Sequence, residues 1–230
     1  MSKLVSMLQQ KPTLIVSLPA NSRELFQAAV EGGADAVKIH FNVEHRASGT
    51  RFGSVAEYEE LLAEICGSFA GPVGAVAGDS PQKVTPDELT RLAEAGIDFV
   101  SLYAHHAPGW LLTDKRISRM MAVSGDYADS AISAYRSLPI DMLEASIVPG
   151  NEYGTPLNVR DLLHYRALVE RCAKPVVVPS QRSLKAEELE ALLLTGVRGV
   201  MIGAIVTGAE AQSVYDVTCR FRRELDHVTR

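Results

Sequence analysis

The sequence predicts a single (β/α)8 TIM barrel with a short N-terminal helix, and three observations lead there. Short apolar runs alternate with helical patterns from one end of the chain to the other, as in repeated βα units. The length, 230 residues, suits one α/β barrel and is too short for two comfortable α/β domains. An internal echo also recurs. In Gly33-Ala34-Asp35-Ala36-Val37, Gly96-Ile97-Asp98-Phe99-Val100 and Gly196-Val197-Arg198-Gly199-Val200 a helix ends, glycine supplies the turn, and a strand begins two residues later. Pro139-Ile140-Asp141-Met142-Leu143 enters a strand the same way, with Asp141 in the place of Asp98.

In chain order, a short helix is expected over 3–10, and the first apolar run, 13–18, makes strand 1. A helix over 22–31 leads to the first glycine entry and strand 2 over 34–40. A long loop, 41–54, precedes a helix over 55–69 and strand 3 over 72–77. The helix over 86–95 reaches the second entry and strand 4 over 98–103. Residues 108–115 leave room for one or two turns before strand 5 over 119–123. A helix over 128–137 leads into strand 6 over 140–147, and a second long loop follows, 148–158. The helix over 159–171, strand 7 over 175–178, the helix over 186–194, strand 8 over 199–202 and a helix over 209–227 complete the set. No linker or low-complexity tract interrupts them, so residues 1–230 read as one barrel domain.

Composition narrows the function classes. Apolar residues make up 47% and the net charge is −5, with no basic stripe, so neither nucleic acid nor a membrane surface is expected as a partner. The three cysteines are scattered and odd in number, which fits buried thiols in a reducing, cytoplasmic compartment. Residues 1–10 lack the apolar run of a signal peptide or membrane span.

The four strand entries overlay residue by residue, which assigns side chains to the two faces of the even strands. Val37, Ile39, Val100, Leu102, Leu143, Ala145, Val200 and Ile202 face the helices. Lys38, Ser101, Glu144 and Met201 form a lower inward layer, and His40, Tyr103, Ser146 and Gly203 an upper one. Lys38 and Glu144, from opposed strands, therefore point toward each other near the axis. A lysine shielded from water can act as acid, base or amine nucleophile, and a glutamate can shuttle a proton. The plainer alternative is an ion pair that fills the axis. His40, one layer higher, is a candidate acid–base or a residue that only orients a loop. Asn42 either binds a substrate hydroxyl or caps the turn.

Other candidates lie at the strand ends. His105 and His106 are adjacent and point opposite ways, and no spaced ligand motif accompanies them, so no metal is expected; no cofactor is expected either. The loop 41–54 carries Glu44, His45, Arg46, Arg51, Gly49 and Gly53, and the loop 148–158 carries Gly150, Asn151, Glu152, Tyr153 and Gly154. Charge with glycine suits a lid over an anion, and a variable surface loop is the alternative. Strand 8 runs into Gly203-Ala204-Ile205-Val206-Thr207-Gly208, where free N–H groups opening a helix make an anion site, with Ser180, Gln181 and Arg182 as strand 7 partners. Trp110, Leu111 and Leu112 are exposed-apolar candidates for an interface or a pocket wall, and a homodimer is expected.

These residues resemble the ribulose-phosphate-binding barrels, and within them the N-acetylmannosamine-6-phosphate 2-epimerases. Leu14-Ile15-Val16-Ser17 looks like that family's first strand, which places Ser17 among the substrate contacts. Gly203-Ala204-Ile205-Val206-Thr207 looks like its strand 8 phosphate loop, and Arg182 and Glu187 fall where its strand 7 motif has arginine and glutamate. The resemblance implies a barrel with a phosphate site. It does not carry over the family's catalytic pair: the strand 3 lysine has no match in 72–79, and Ser180-Gln181 replaces Glu-Gly at the end of strand 7. The expected activity is isomerisation, epimerisation or cleavage of a small phosphorylated carbonyl compound by Lys38, Glu144 and His40. A two-substrate transferase and a non-catalytic barrel that keeps an anion pocket are the alternatives.

Overall fold

The computed structural model describes residues 2–127 and 129–229. Eight parallel strands close into a barrel: β1 (Thr13–Ser17), β2 (Ala36–His40), β3 (Val73–Val76), β4 (Phe99–Tyr103), β5 (Ser118–Ser124), β6 (Met142–Ser146), β7 (Val176–Pro179) and β8 (Gly199–Ile202). Each strand pairs with its sequence neighbours, and β1 closes on β8 with Thr13 opposite Gly199. Outside lie α2 (Arg23–Glu31), α3 (Glu59–Ser68), α4 (Pro86–Glu94), α5 (Asp129–Ile132), α6 (Val159–Cys172), α7 (Leu189–Leu193), α8 (Ala204–Thr207) and α9 (Ala211–Val228); α1 (Lys3–Gln10) precedes β1. Three expected helices open or close on 3-10 turns, at Val55–Tyr58, Ser133–Arg136 and Ala186–Glu188. The first residue of the expected helix over 128–137 lies outside the described residues.

Local chemistry accounts for the boundaries. Ser22 caps α2 by accepting from the Leu25 N–H, and Thr85 caps α4 from the Glu88 N–H with Pro86 in the first turn. Asn158 and Asp161 cap α6 reciprocally, each side chain accepting from the other's backbone N–H. The echoed glycines Gly33, Gly96 and Gly196 have φ of 94°, 95° and 86°, a left-handed turn that side chains resist.

The outward residues of the even strands lie in the shell of core between barrel and helices. A second core fills the lower interior: Ile15, Ala36, Phe99, Met120, Met142, Val177 and Met201 pack with Leu4 and Leu8 of α1. Helix α1 is therefore the plug of the barrel floor, and the echo holds it there. Asp98, before β4, accepts from the Lys3 and Leu4 N–H groups at 2.8 and 3.0 Å, and Arg198, before β8, donates to the Leu8 carbonyl at 2.8 Å. An acid at the helix start and a base at its end both complement its dipole.

Two expectations are corrected. Leu111 is buried in the outer core, and Trp110 and Leu112 pack against it, because the 3-10 turn Gly109–Leu112 folds back onto the barrel wall. They form no exposed apolar patch. The loop 41–54 contains a two-stranded antiparallel hairpin, Glu44–His45 with Thr50–Arg51, whose strands are too short for alternation to reveal.

Candidate functional site

The C-terminal mouth of the barrel holds a cavity of about 670 Å³, within the range of small-molecule sites. All eight residues of the two inward layers line it. The β2–β3 and β5–β6 pairings set Lys38 opposite Gly74 and Ala122 opposite Glu144, so the charged pair meets across the axis between small neighbours. Gly74 has no room for a side chain, because the Phe99 ring occupies the place of its Cβ.

Lys38 Nζ lies 3.2 Å from Glu144 Oε2, and both residues are buried. Ser101 donates to the same oxygen at 2.6 Å, and Ser146 donates to Oε1 at 2.8 Å. Burial pushes the Glu144 carboxyl upward, but the Lys38 ammonium and the two hydroxyls outweigh it and hold the group below the usual carboxylate range. Glu144 is thus an ionised carboxylate, buried at the base of the cavity.

His40 sits above, its Nε2 3.4 Å from Ser17 Oγ and its Nδ1 without a partner. Asn21 brackets its backbone, donating to the His40 carbonyl at 2.7 Å and accepting its N–H at 3.2 Å. The ring packs in tilted contact with His45 at 4.4 Å and Phe52 at 4.8 Å between centroids, both from the hairpin region. Burial first, then His45 and Lys38, drives its pKa well down, so the imidazole is neutral. His45 is lowered to about 4, by burial and then Lys38, with Glu144 opposing. Burial likewise raises the Tyr103 phenol, helped by Tyr153 and Glu144.

At the far side, Ser180, Gln181, Gly203, Ala204 and Ile205 line the cavity. Ser180 Oγ accepts the Gly203 N–H at 2.9 Å, so that amide is not free, and the hydroxyl keeps its own proton to donate. Gln181 accepts the Val148 N–H at 3.0 Å and donates to Tyr153 Oη at 2.6 Å.

Two expected contacts do not reach the cavity. Asn42, at φ 56°, turns away and donates to the Ala77 carbonyl at 3.3 Å and to Glu88 at 2.6 Å; it fastens the end of β2 to α4. Arg182 is buried behind the wall, with Nε and Nη2 on the two Asp161 oxygens at 2.8 and 2.9 Å and Nη2 also 2.7 Å from Glu152. Three carboxylate contacts consume its charge, and it is a structural tie between β7, α6 and the loop after β6. The sequence reading gave no role to Ser101 or Ser146, although the layer assignment already held both, and it named Tyr153 only as part of the loop over the mouth. At the rim His105 stacks on Tyr103 and His106 meets it edge-on, and among the described residues no cluster of three or more histidine, cysteine or acidic side chains is placed to hold a metal ion.

No family model matches the chain, and no curated protein does. Solved structures do. A protein of Aquifex aeolicus superposes with TM-score 0.76 at 16% identity, over 97% of this chain and 99% of its own. A tryptophan synthase structure from Mycobacterium tuberculosis gives 0.74 at 15%, over 97% and 98%. Thiamine phosphate pyrophosphorylase from Pyrococcus furiosus gives 0.65 at 18%, over 96% and 98%. At such identities the likeness is one of fold: this chain is a TIM barrel over nearly its whole length.

Proposed function

We propose that this protein is an enzyme acting on a small phosphorylated carbonyl compound at the mouth of the barrel, by isomerisation, epimerisation or cleavage. The observation that carries the reading is the Lys38–Glu144 pair, buried yet open to a cavity of small-molecule size. The name of the thiamine phosphate pyrophosphorylase neighbour points to a phosphorylated ligand on the same fold, which supports the ligand class. The epimerase family's own pair has no counterpart here, since β3 presents Gly74 and Val76 inward and β7 ends at Pro179-Ser180-Gln181.

The chemistry follows from the pairing. A carboxylate held by three donors is a weak base until one leaves. A substrate carbonyl oxygen that takes Lys38 from Glu144 is polarised by the ammonium, and the same exchange raises the basicity of Glu144. Glu144 then removes the proton on the carbon beside the carbonyl, and the electron pair moves onto the oxygen that Lys38 holds. Delivery of a proton to the other face by a second donor, a role open to His40, epimerises; in isomerisation the proton goes to the former carbonyl carbon while the hydroxyl on the adjacent carbon gives up its proton and becomes the new carbonyl. In cleavage Glu144 instead takes the proton of the hydroxyl on the next carbon along, that carbon leaves as a second carbonyl compound, and the electrons of the broken carbon–carbon bond pass to the oxygen that Lys38 holds. A paired ammonium is a poor nucleophile, so polarisation rather than imine formation is the role its surroundings favour. Neutral His40, with Ser17, can pass a proton to a substrate hydroxyl. Phosphate would sit against Ser180 and the Ala204 and Ile205 backbone.

A thermal-shift screen against phosphosugars and their unphosphorylated forms tests the class. Ligand at a hundred times its dissociation constant stabilises by about 2.7 kcal/mol. Shifts confined to phosphorylated compounds are expected; no preference for them overturns the reading. Turnover of the hits by Lys38→Met and Glu144→Gln then separates an enzyme from a binding barrel. Loss of at least a hundredfold is expected, and turnover unchanged in both variants removes the pair from the chemistry.

A further inference from the structure

The hairpin after β2 carries an arginine, Arg46, to which the chemistry above gives no role. The hairpin is firmly seated: Thr50 Oγ1 donates to the Pro19 carbonyl at 2.8 Å, Phe52 N–H to the Val43 carbonyl at 2.9 Å, and His45 Nδ1 lies 2.9 Å from Ser48 Oγ. From there Arg46 crosses to the loop after β6, on the opposed side of the barrel. Its guanidinium carbon stands 6.0 Å from the Tyr153 ring centroid, and its Nη1 lies over Gly150, where any Cβ would strike it. Tyr153 is in turn held by the Gln181 amide at 2.6 Å. The guanidinium is therefore positioned over the cavity it lines.

Arg46 and Arg182 have opposite circumstances. Arg182 has its charge neutralised by Asp161 and Glu152. Among the described residues Arg46 makes no hydrogen bond or ion pair, and Glu152, the acid of the loop it reaches, is already held by Arg182 at 2.7 Å. Five N–H donors and a full positive charge thus face the mouth. The remaining charges there do not welcome an anion. Lys38 is taken by Glu144, Asp79 is paired with Lys83 at 2.7 Å, and Glu44 and Asp126 add negative charge to the rim. Backbone N–H groups and the Ser180 hydroxyl can orient a phosphate, but a phosphate leaving water also needs a countercharge.

We infer that Arg46, rather than Arg182, neutralises the anionic group of the ligand and so selects phosphorylated over neutral substrates. The inference rests on the phosphorylated-ligand reading above. It makes the hairpin part of the binding site: the anion would sit beneath Arg46, between the hairpin after β2 and the loop after β6.

Calorimetric titration of the wild type, Arg46→Gln and Arg46→Lys with ribose 5-phosphate, inorganic phosphate and ribose tests this. Arg46 is exposed and unpaired, so both variants should melt with the wild type, which excludes misfolding. Expected is a rise of tenfold or more in the dissociation constant of the two phosphates for Arg46→Gln, about 1.4 kcal/mol per factor of ten, with partial recovery in Arg46→Lys and no change for ribose. A wild type that prefers the phosphates, together with an Arg46→Gln that binds them equally well, overturns the inference and leaves the phosphate reading standing. A wild type without that preference overturns the reading and the inference together.

Discussion

Arg182 and Glu144 show how the same kind of contact serves two ends. Arg182 and Asp161 are 7% and 5% exposed, and neither lines the cavity. Removing one partner strands the other charge in the wall, which costs about 3–5 kcal/mol. Arg182→Met should therefore lower urea stability by that order, and a loss below 1 kcal/mol would contradict the burial argument. Around Glu144 the donors tune basicity instead. Ser101→Ala removes a 2.6 Å hydrogen bond to the ionised form. The Glu144 pKa should rise, and the acid limb of the pH–rate profile should move to higher pH. An unmoved limb would show that Glu144 is not the group that titrates. Lys38, Glu144 and His40 were legible from strand alternation alone. That Asn42 and Arg182 lie outside the cavity was not legible, because the partners they find, Glu88 for one and Asp161 with Glu152 for the other, come from elements distant in sequence.

The hairpin carries the pH response at the level of elements. Native His45 does not take a proton until about pH 4, and His40 is also held well below its ordinary value, whereas unfolded histidines protonate near 6.5. Between those values the unfolded chain binds more protons, so stability falls as pH falls, by up to about 1.36 kcal/mol per pH unit for each histidine. Melting temperature should drop from pH 7 to pH 5, and His45→Gln should flatten the drop. Equal melting at both values in the wild type would show that these rings are not buried as described. The hairpin was not legible as such. Its strands are two residues each, and what holds them is tertiary: the Thr50 hydroxyl on the Pro19 carbonyl and the tilted contacts of His45 and Phe52 with the His40 ring.

The floor of the barrel and its mouth are separate problems for the whole molecule. Leu4 and Leu8 have no exposed surface and close the lower interior. Leu8→Ala should cost about 2–5 kcal/mol, measured by urea unfolding. Asp98→Ala, which frees two N–H groups at the start of α1, should weaken the same plug without touching the cavity. Were Leu8→Ala to unfold with the wild type, α1 would be an appendage rather than a plug. By itself the sequence determined the barrel, the faces of its strands and the axial pair, because these follow from a period of two and a repeated strand entry. The tertiary structure alone decided which charges are neutralised and which remain free. Whether an arginine is tied down or faces a ligand depends on acids brought beside it by folding, and spacing along the chain does not encode that distance.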